Sequence, residues 1–166
     1  MEDRSSIWDS RSKRSSAGKG DLTIRRAELG DAAALARLMC ELGYDTRTAE
    51  MKMRLESILD DSRYQTFMAI SGGTVCGMIG CFLQRSYEHN DVGGRILALV
   101  VTESMRGQGI GQELVHAAES DFVAKNINRI AVNTRFERKE AHEFYEKVGY
   151  VRNGFRFVKN LPAVAD

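Results

Sequence analysis

Apolar and polar residues alternate over residues 22–26, the period of a short strand, and residues 28–31 follow with turn and cap chemistry. The period then lengthens. Ala34, Leu35, Leu38, Met39 and Leu42 recur at spacings of three and four, predicting an amphipathic helix that starts near Asp31 and stops at Gly43. Residues 48–59 repeat the arrangement through Met51, Leu55, Ile58 and Leu59, closed by Asp60, Asp61 and Ser62. From Gln65 the period returns to two: residues 67–70, a turn at Gly72 and Gly73, and residues 75–83 predict a hairpin. Residues 87–94 are polar and contain glycine, hence a predicted loop, and residues 95–101 are an apolar run suited to a strand buried on both faces. Helical spacing recurs in residues 109–125 and 137–148, the second stopped by Gly149, and residues 129–134 and 150–159 complete the pattern as strands.

The predicted order is strand, two helices, three strands, helix, strand, helix, strand. It calls for an α/β or α+β architecture in which one mixed sheet is covered by helices. No internal repeat interrupts it. With 166 residues, 43% hydrophobic and 28% charged, the chain fits one globular domain over residues 21–166, large enough to bury a core without disulfides or a structural metal. Residues 1–20 are rich in Ser, Arg and Lys, lack the apolar stretch of a secretion signal, and read as a disordered tail.

A net charge of +1 provides no overall field for nucleic acid or anionic lipid, and no run is long enough to span a membrane, so neither partner is expected. Cys40, Cys76 and Cys81 are an odd number with no C-x-x-C pair, which argues against a disulfide framework and against zinc; no metal is expected, and the thiols point to a cytoplasmic protein.

The candidate chemistry lies between the buried run and the third helix. Val101-Thr-Glu-Ser-Met-Arg106-Gly107-Gln108-Gly109-Ile110-Gly111 places three glycines in five residues at a helix start, where glycine weakens the helix. Bare backbone there lets a ligand approach the free N–H groups of the first turn, and Arg106 adds positive charge, so the segment reads as a pyrophosphate cradle. A Walker loop is excluded, because its spacing and its Lys-Ser/Thr ending are missing. A dinucleotide fingerprint fits poorly, since the glycines run G-x-G-x-G and fall late in the chain.

Arg106-Gly-Gln-Gly109-Ile-Gly111 resembles the R/Q-x-x-G-x-G/A signature of the GNAT superfamily of N-acetyltransferases. Ile24-Arg-Arg-Ala with Asp31, Leu42-Gly-Tyr44, and Ala141-His-Glu-Phe-Tyr145-Glu-Lys-Val-Gly149-Tyr150 are similar to further segments of that superfamily, in the same order, so the likeness spans residues 22–159. It implies a mixed, mostly antiparallel sheet of six to seven strands flanked by about four helices, and acetyl-CoA as co-substrate. In the superfamily a bulge splays the strand before the glycine loop from its neighbour, and the pantetheine arm fills the gap. By position, the backbone of Leu99, Val100 and Val101 would then meet the pantetheine and thioester, Arg106 to Gly111 the pyrophosphate, and Asn133 the facing side.

Tyr145 resembles the superfamily's general acid for the leaving thiolate, and a phenol with a reference pKa of about 10 is protonated at neutral pH. It also fits a core aromatic beside Phe144. Many relatives carry a glutamate where this chain has Leu97, so that base is missing; Glu88 and His89 acting through water are an alternative to a solvated loop pair, and His116 and His142 lie on predicted helices. Arg138 stands where many members have Asn, either against phosphate or in water. The resemblance leaves the acceptor amine open between small molecules and peptides, with Glu41 and Asp45 leaning towards a cationic one, and relatives often form homodimers. A non-catalytic acyl-CoA-binding module is the competing function.

Overall fold

The computed structural model describes residues 21–162 as one five-stranded sheet with helices on both faces. The tail expected over residues 1–20 lies outside the described residues. Strand β1 (Leu22–Arg26) leads through a 3-10 turn (Leu29–Asp31) into α1 (Ala32–Glu41) and α2 (Thr48–Asp60). Strands β2 (Tyr64–Ser71), β3 (Thr74–Arg85) and β4 (Val92–Val101) follow, then α3 (Ile110–Ala124), β5 (Ile130–Val132) and α4 (Lys139–Lys147). The sheet order is β1-β2-β3-β4-β5, antiparallel throughout except for the parallel pairing of β4 with β5.

Side-chain alternation divides the core between the two faces. Ile79, Cys81 and Ile96 pack with Ile110, Leu114, Ala118 and Phe122 of α3, whereas Met68, Met78 and Val100 pack with Leu35, Leu38 and Leu55 of α1 and α2. The chain's entry into α1 is fixed by Asp31, 8% exposed, which accepts bonds from Arg25 Nη1 and Nη2 at 2.7 and 2.8 Å and from the Glu28 amide at 2.8 Å. Those bonds, the Arg25 guanidinium first, hold its carboxyl below the ordinary range against the opposing effect of burial.

Two expectations need correction. Residues 92–94, expected in a loop, are the start of β4: Gly93 and Gly94 pair with Gln84 and Leu83. The glycine there serves packing, since a Cβ on Gly94 would lie 2.9 Å from the Phe122 ring. Conversely, residues 150–159 form no strand, so the sheet has five strands among the described residues instead of six to seven. Alternating Phe155, Arg156 and Phe157 has the period of a strand, but past the bond from the Tyr150 amide to the Tyr145 carbonyl the segment makes no backbone bond to another described residue.

Candidate active site

Strand β4 positions the site. Its register against β3 slips between Gly80 and Cys81: Cys81 faces Ile96 and Gly80 faces Ala98, leaving Leu97 as the extra, unpaired residue of a bulge. On the other side, β5 pairs with β4 only from Gly94–Ile130 to Ile96–Val132. Past that point the β5-facing edge of residues 97–101 has no strand partner among the described residues, so the two strands part at the bulge and Asn133, exposed, stands just beyond the last pair. The parted strands open into a cleft of about 520 Å³ floored by Leu99, Val100 and Val101 and walled by Glu41, Leu42, Arg106 and residues 137–141. That volume suits a small-molecule site.

At the far end of the floor the chain turns through Gly107 and Gly109, with φ of +75° and +82°. Both lie in the left-handed region that side chains disfavour, and Gly109 is the residue from which α3 departs. A Cβ there would meet nothing closer than Gln112 Oε1 at 3.8 Å, so space over the helix mouth is open. Gln108 is exposed beside it, and Ile110, 4% exposed, anchors the first turn in the core. Arg106 donates from Nε to the Val101 carbonyl at 3.0 Å, which directs its guanidinium along the end of β4. Bare amides, positive φ and a pinned arginine make this terminus fit a phosphate group.

The surroundings of Gly111 differ. A Cβ on it would lie 3.2 Å from the Phe144 ring, so its missing side chain lets α3 and α4 approach.

Two contacts hold the walls, and sequence reading assigned neither. The Glu41 carboxylate accepts from Thr102 Oγ1 at 2.5 Å and from the Glu103 amide at 2.9 Å, tying α1 to the turn after β4. The Thr102 bond, aided by the Glu103 amide and the charge of Arg106, depresses its pKa. Glu41 is therefore engaged with the protein and kept as a carboxylate on the cleft wall. Arg138 Nη2 donates to the Leu42 carbonyl at 2.7 Å, bridging α4 to the end of α1 across the cleft. Nearby, Arg135 Nη2 donates to Tyr44 Oη at 3.4 Å with its guanidinium 5.9 Å from that ring. These partners lie 61, 96 and 91 residues apart, beyond any local pattern.

Tyr145 does not line the cleft. It is 9% exposed and packs edge-on against Phe144 and Tyr150, with ring centroids at 5.2 and 5.5 Å. Its hydroxyl has no hydrogen-bond partner among the described residues, and no fully buried side-chain N or O there lacks one. The ring is thus core, and Oη is not fully buried. Burial, with a smaller effect of Cys81, pushes the phenol up to about 12. Tyr150 donates to Glu119 Oε1 at 3.1 Å and is also shifted upward, by burial first and then by Glu119.

None of the considered bases lines the cleft. The amides of Glu88 and His89, both exposed, donate to Ser86 Oγ at 3.0 and 3.2 Å; His116 is exposed, and His142 Nε2 lies 2.9 Å from the Arg135 carbonyl. A different polar group stands out on the sheet. Arg95 alternates with Gly94 and Ile96, which face α3, and so lies on the opposite face with its register partner Phe82 and with Tyr64. It is half-buried and has no hydrogen-bond or ion-pair partner among the described residues, and Leu97, 53% exposed, is two positions along.

No helix among the described residues is long and apolar enough to cross a membrane. Residues 32–150 match the acetyltransferase (GNAT) family. The chain is 32% identical over 139 residues to the aminoalkylphosphonate N-acetyltransferase of Salmonella typhimurium, covering 83% of this chain and 90% of that protein. A GNAT family acetyltransferase from Staphylococcus aureus superposes with a TM-score of 0.73 at 27% identity, over 84% of this chain and 98% of that one. The structure of AAC(6')-Iy in complex with a bisubstrate analogue, CoA-S-monomethyl-acetylneamine, shares the fold with a TM-score of 0.77 at 16% identity, over 87% and 100% of the two chains. A parted strand pair leading to a glycine-rich helix mouth, on a sheet these proteins share, agrees with the matched family, whose members use acetyl-CoA to acetylate amines: the chain belongs to the GNAT family and is an N-acetyltransferase.

Proposed function

We propose that this chain transfers the acetyl group of acetyl-CoA directly to the primary amine of a small acceptor that also carries an anionic group, with aminoalkylphosphonates as the class. The observation that carries the transfer is the unpaired edge of residues 97–101, which ends at the open helix mouth of Gly107 and Gly109. Backbone groups of Leu99, Val100 and Val101 bond the pantetheine arm as a neighbouring strand would, and they orient the thioester carbonyl at the bulge. Arg106, Gly107, Gln108, Gly109 and the first turn of α3 hold the pyrophosphate, while Asn133 borders the thioester end. Arg138, bonded to Leu42, shapes the wall instead of meeting phosphate.

The free amine attacks the carbonyl carbon, charge develops on oxygen, the C–S bond breaks to release the thiolate, and the nitrogen gives up its surplus proton to water, which restores one to the sulfur. With Leu97 where relatives have a carboxylate, the free-base fraction of the amine is the nucleophile, so no residue takes its proton before attack. Tyr145 lies outside the cleft's lining, and its incompletely buried hydroxyl donates to a departing sulfur that extends past the floor of Leu99, Val100 and Val101. A phenol at about 12 facing a thiol of about 8.5 is mismatched by several units, so its contribution is a hydrogen bond that strengthens as charge builds on sulfur, followed by proton exchange with solvent.

The acceptor class is supported by two features. Arg95 is a half-buried guanidinium beside the bulge without a partner among the described residues, and burying such a charge is unfavourable unless a ligand completes it. The substrate in the name of the Salmonella protein is of matching chemistry. The test is thiol release from acetyl-CoA with aminoalkylphosphonates, neutral alkylamines of equal length, polyamines and N-terminal peptides. The phosphonates should have the highest kcat/KM, and Arg95→Gln should lower that value about 10- to 100-fold while leaving neutral amines within about twofold, the loss expected for a charge-assisted hydrogen bond. A preference for polyamines, or equal loss on neutral amines, rejects the acceptor class; saturable acetyl-CoA binding without turnover on any amine rejects the transfer.

A further inference from the structure

Glu41 is the last residue of α1, and its own helix gives no reason for it to be there. A carboxylate at a helix C-terminus faces the negative end of the macrodipole, and the last turn of α1 carries no basic residue to offset it. Its bonds are made to another part of the chain.

The segment that follows β4 lacks what Glu41 supplies. It is a 3-10 turn (Glu103–Met105) whose first amides have no partner within the turn, and its N-cap, Thr102, makes no side-chain capping bond. Glu41 caps it from 62 residues away: one carboxylate oxygen accepts from the Glu103 amide at 2.9 Å while the other accepts from Thr102 Oγ1 at 2.5 Å. The Thr102 amide donates to the Cys76 carbonyl at 2.8 Å, so the turn starts fastened to β3 by its backbone and to α1 by Glu41. Glu103 and Ser104 are themselves exposed. Downstream, the Arg106 amide donates to the Glu103 carbonyl at 3.2 Å, and Gly107 comes next. The path of the chain into the helix mouth therefore begins at a residue whose amide Glu41 holds. A turn ordered in advance spares a ligand the cost of ordering it.

The charge of Glu41 acts in the opposite sense. It stands on the wall of the same cleft as Arg106, near enough for the two charges to interact. A carboxylate beside a polyanion site repels the ligand, so deleting a carboxylate that only lined the wall would tighten binding. Geometry and charge thus predict opposite signs for one substitution.

We propose that Glu41 is a positioning residue of the cofactor site: its carboxylate caps the turn after β4 and so aims Arg106, Gly107 and Gly109 at the pyrophosphate of acetyl-CoA. The inference rests on the pyrophosphate reading of that mouth and is independent of the acceptor.

The test is calorimetric titration of the full chain with acetyl-CoA, alongside S-acetylpantetheine, which keeps the thioester arm and lacks the pyrophosphate, measured by its competition with acetyl-CoA. The wild type should hold acetyl-CoA at least about 100-fold more tightly than S-acetylpantetheine. Glu41→Ala should weaken acetyl-CoA binding about 10- to 50-fold, against the sign of its charge change, and leave S-acetylpantetheine within about twofold. Glu41→Gln, which keeps one acceptor oxygen, should fall between the two. Thr102→Val should weaken acetyl-CoA about 3- to 10-fold, and adding it to Glu41→Ala should cost nothing more, as expected of partners in one contact. Should Glu41→Ala fail to fold, Glu41→Gln and Thr102→Val carry the same comparison. Acetyl-CoA binding as tight as in the wild type, or tighter, in these variants overturns the proposal, and so does an equal loss on both ligands. A wild type that binds both ligands alike removes the pyrophosphate reading too, which tells the two failures apart.

Discussion

At the scale of single residues, protonation separates the proposed acid from the missing base. A phenol held at about 12 by burial keeps its proton across every pH at which the enzyme can be assayed. The attacking amine, with a pKa of about 10.4, is the group that titrates. The logarithm of kcat/KM should therefore rise with unit slope from pH 7 towards pH 10 without a falling limb. Tyr145→Phe should lower the whole profile about 100-fold, at the modest end of general acid catalysis, because the mismatch with the thiol limits proton transfer. It should not change the profile's shape. Stability at neutral pH should stay within about 0.5 kcal/mol, since the hydroxyl bonds nothing in the fold. With a neutral alkylamine as acceptor, a profile that bends near pH 7 would instead identify a protein base, and an unchanged rate in Tyr145→Phe would reduce this residue to the core aromatic that its packing also fits.

At the scale of elements, the glycines before and within α3 divide by what surrounds them. Gly109 has positive φ and open space, so Gly109→Ala should cost about 1–2 kcal/mol in strain and weaken acetyl-CoA binding at least tenfold, read by calorimetric titration. Gly111 is tight against Phe144, so Gly111→Val should cost about 1–3 kcal/mol by overpacking and leave affinity near wild type in the folded protein. Combining it with Phe144→Leu should recover part of that loss, a coupling expected only of residues in contact. In the sequence the two glycines are indistinguishable, because their difference lies in a helix thirty residues away. The same reason separates what was legible from what was not. The helices and the β2–β3 hairpin were readable because periodicity records which face is buried. Gly93 and Gly94 read as a loop because nothing local signals that Phe122 will press against the second of them. The register slip at Leu97, the bond of Glu41 to Thr102 and that of Arg138 to Leu42 are properties of pairs of elements. The family motif falls on the helix mouth because both are features of contiguous backbone, whereas the segment after Tyr150 has a strand's pattern and pairs with no strand among the described residues.

At the scale of the whole molecule, three neutral acids in the core set a limit at high pH. Burial raises the Cys81 thiol from 9.0 to about 12 and the Tyr145 phenol from 10.0 to about 12, and shifts Tyr150 upward as well. Their proximity is part of the effect, since ionised Cys81 would also oppose ionisation of both tyrosines. In the unfolded chain each group loses its proton at its ordinary value, so between that value and the folded one the native state binds more protons and stability falls as pH rises. The contribution is complete below about pH 9 and is lost from there towards pH 12. From pH 8 to pH 10.5 the first thiol and phenol together should remove about 2–3 kcal/mol, a substantial part of the 5–15 kcal/mol typical of a domain. At roughly 2–4 °C per kcal/mol for a chain of this length, Tm should drop by about 5–10 °C over that interval. Cys81→Ala should flatten the fall between pH 9 and 10 whatever it does to Tm at pH 7, because the thiol is the first of the three to ionise on unfolding. A Tm constant from pH 8 to 10.5 in the wild type would mean that these groups meet water in the folded state, and the tightly packed sheet face beneath α3 and α4 would have to be open.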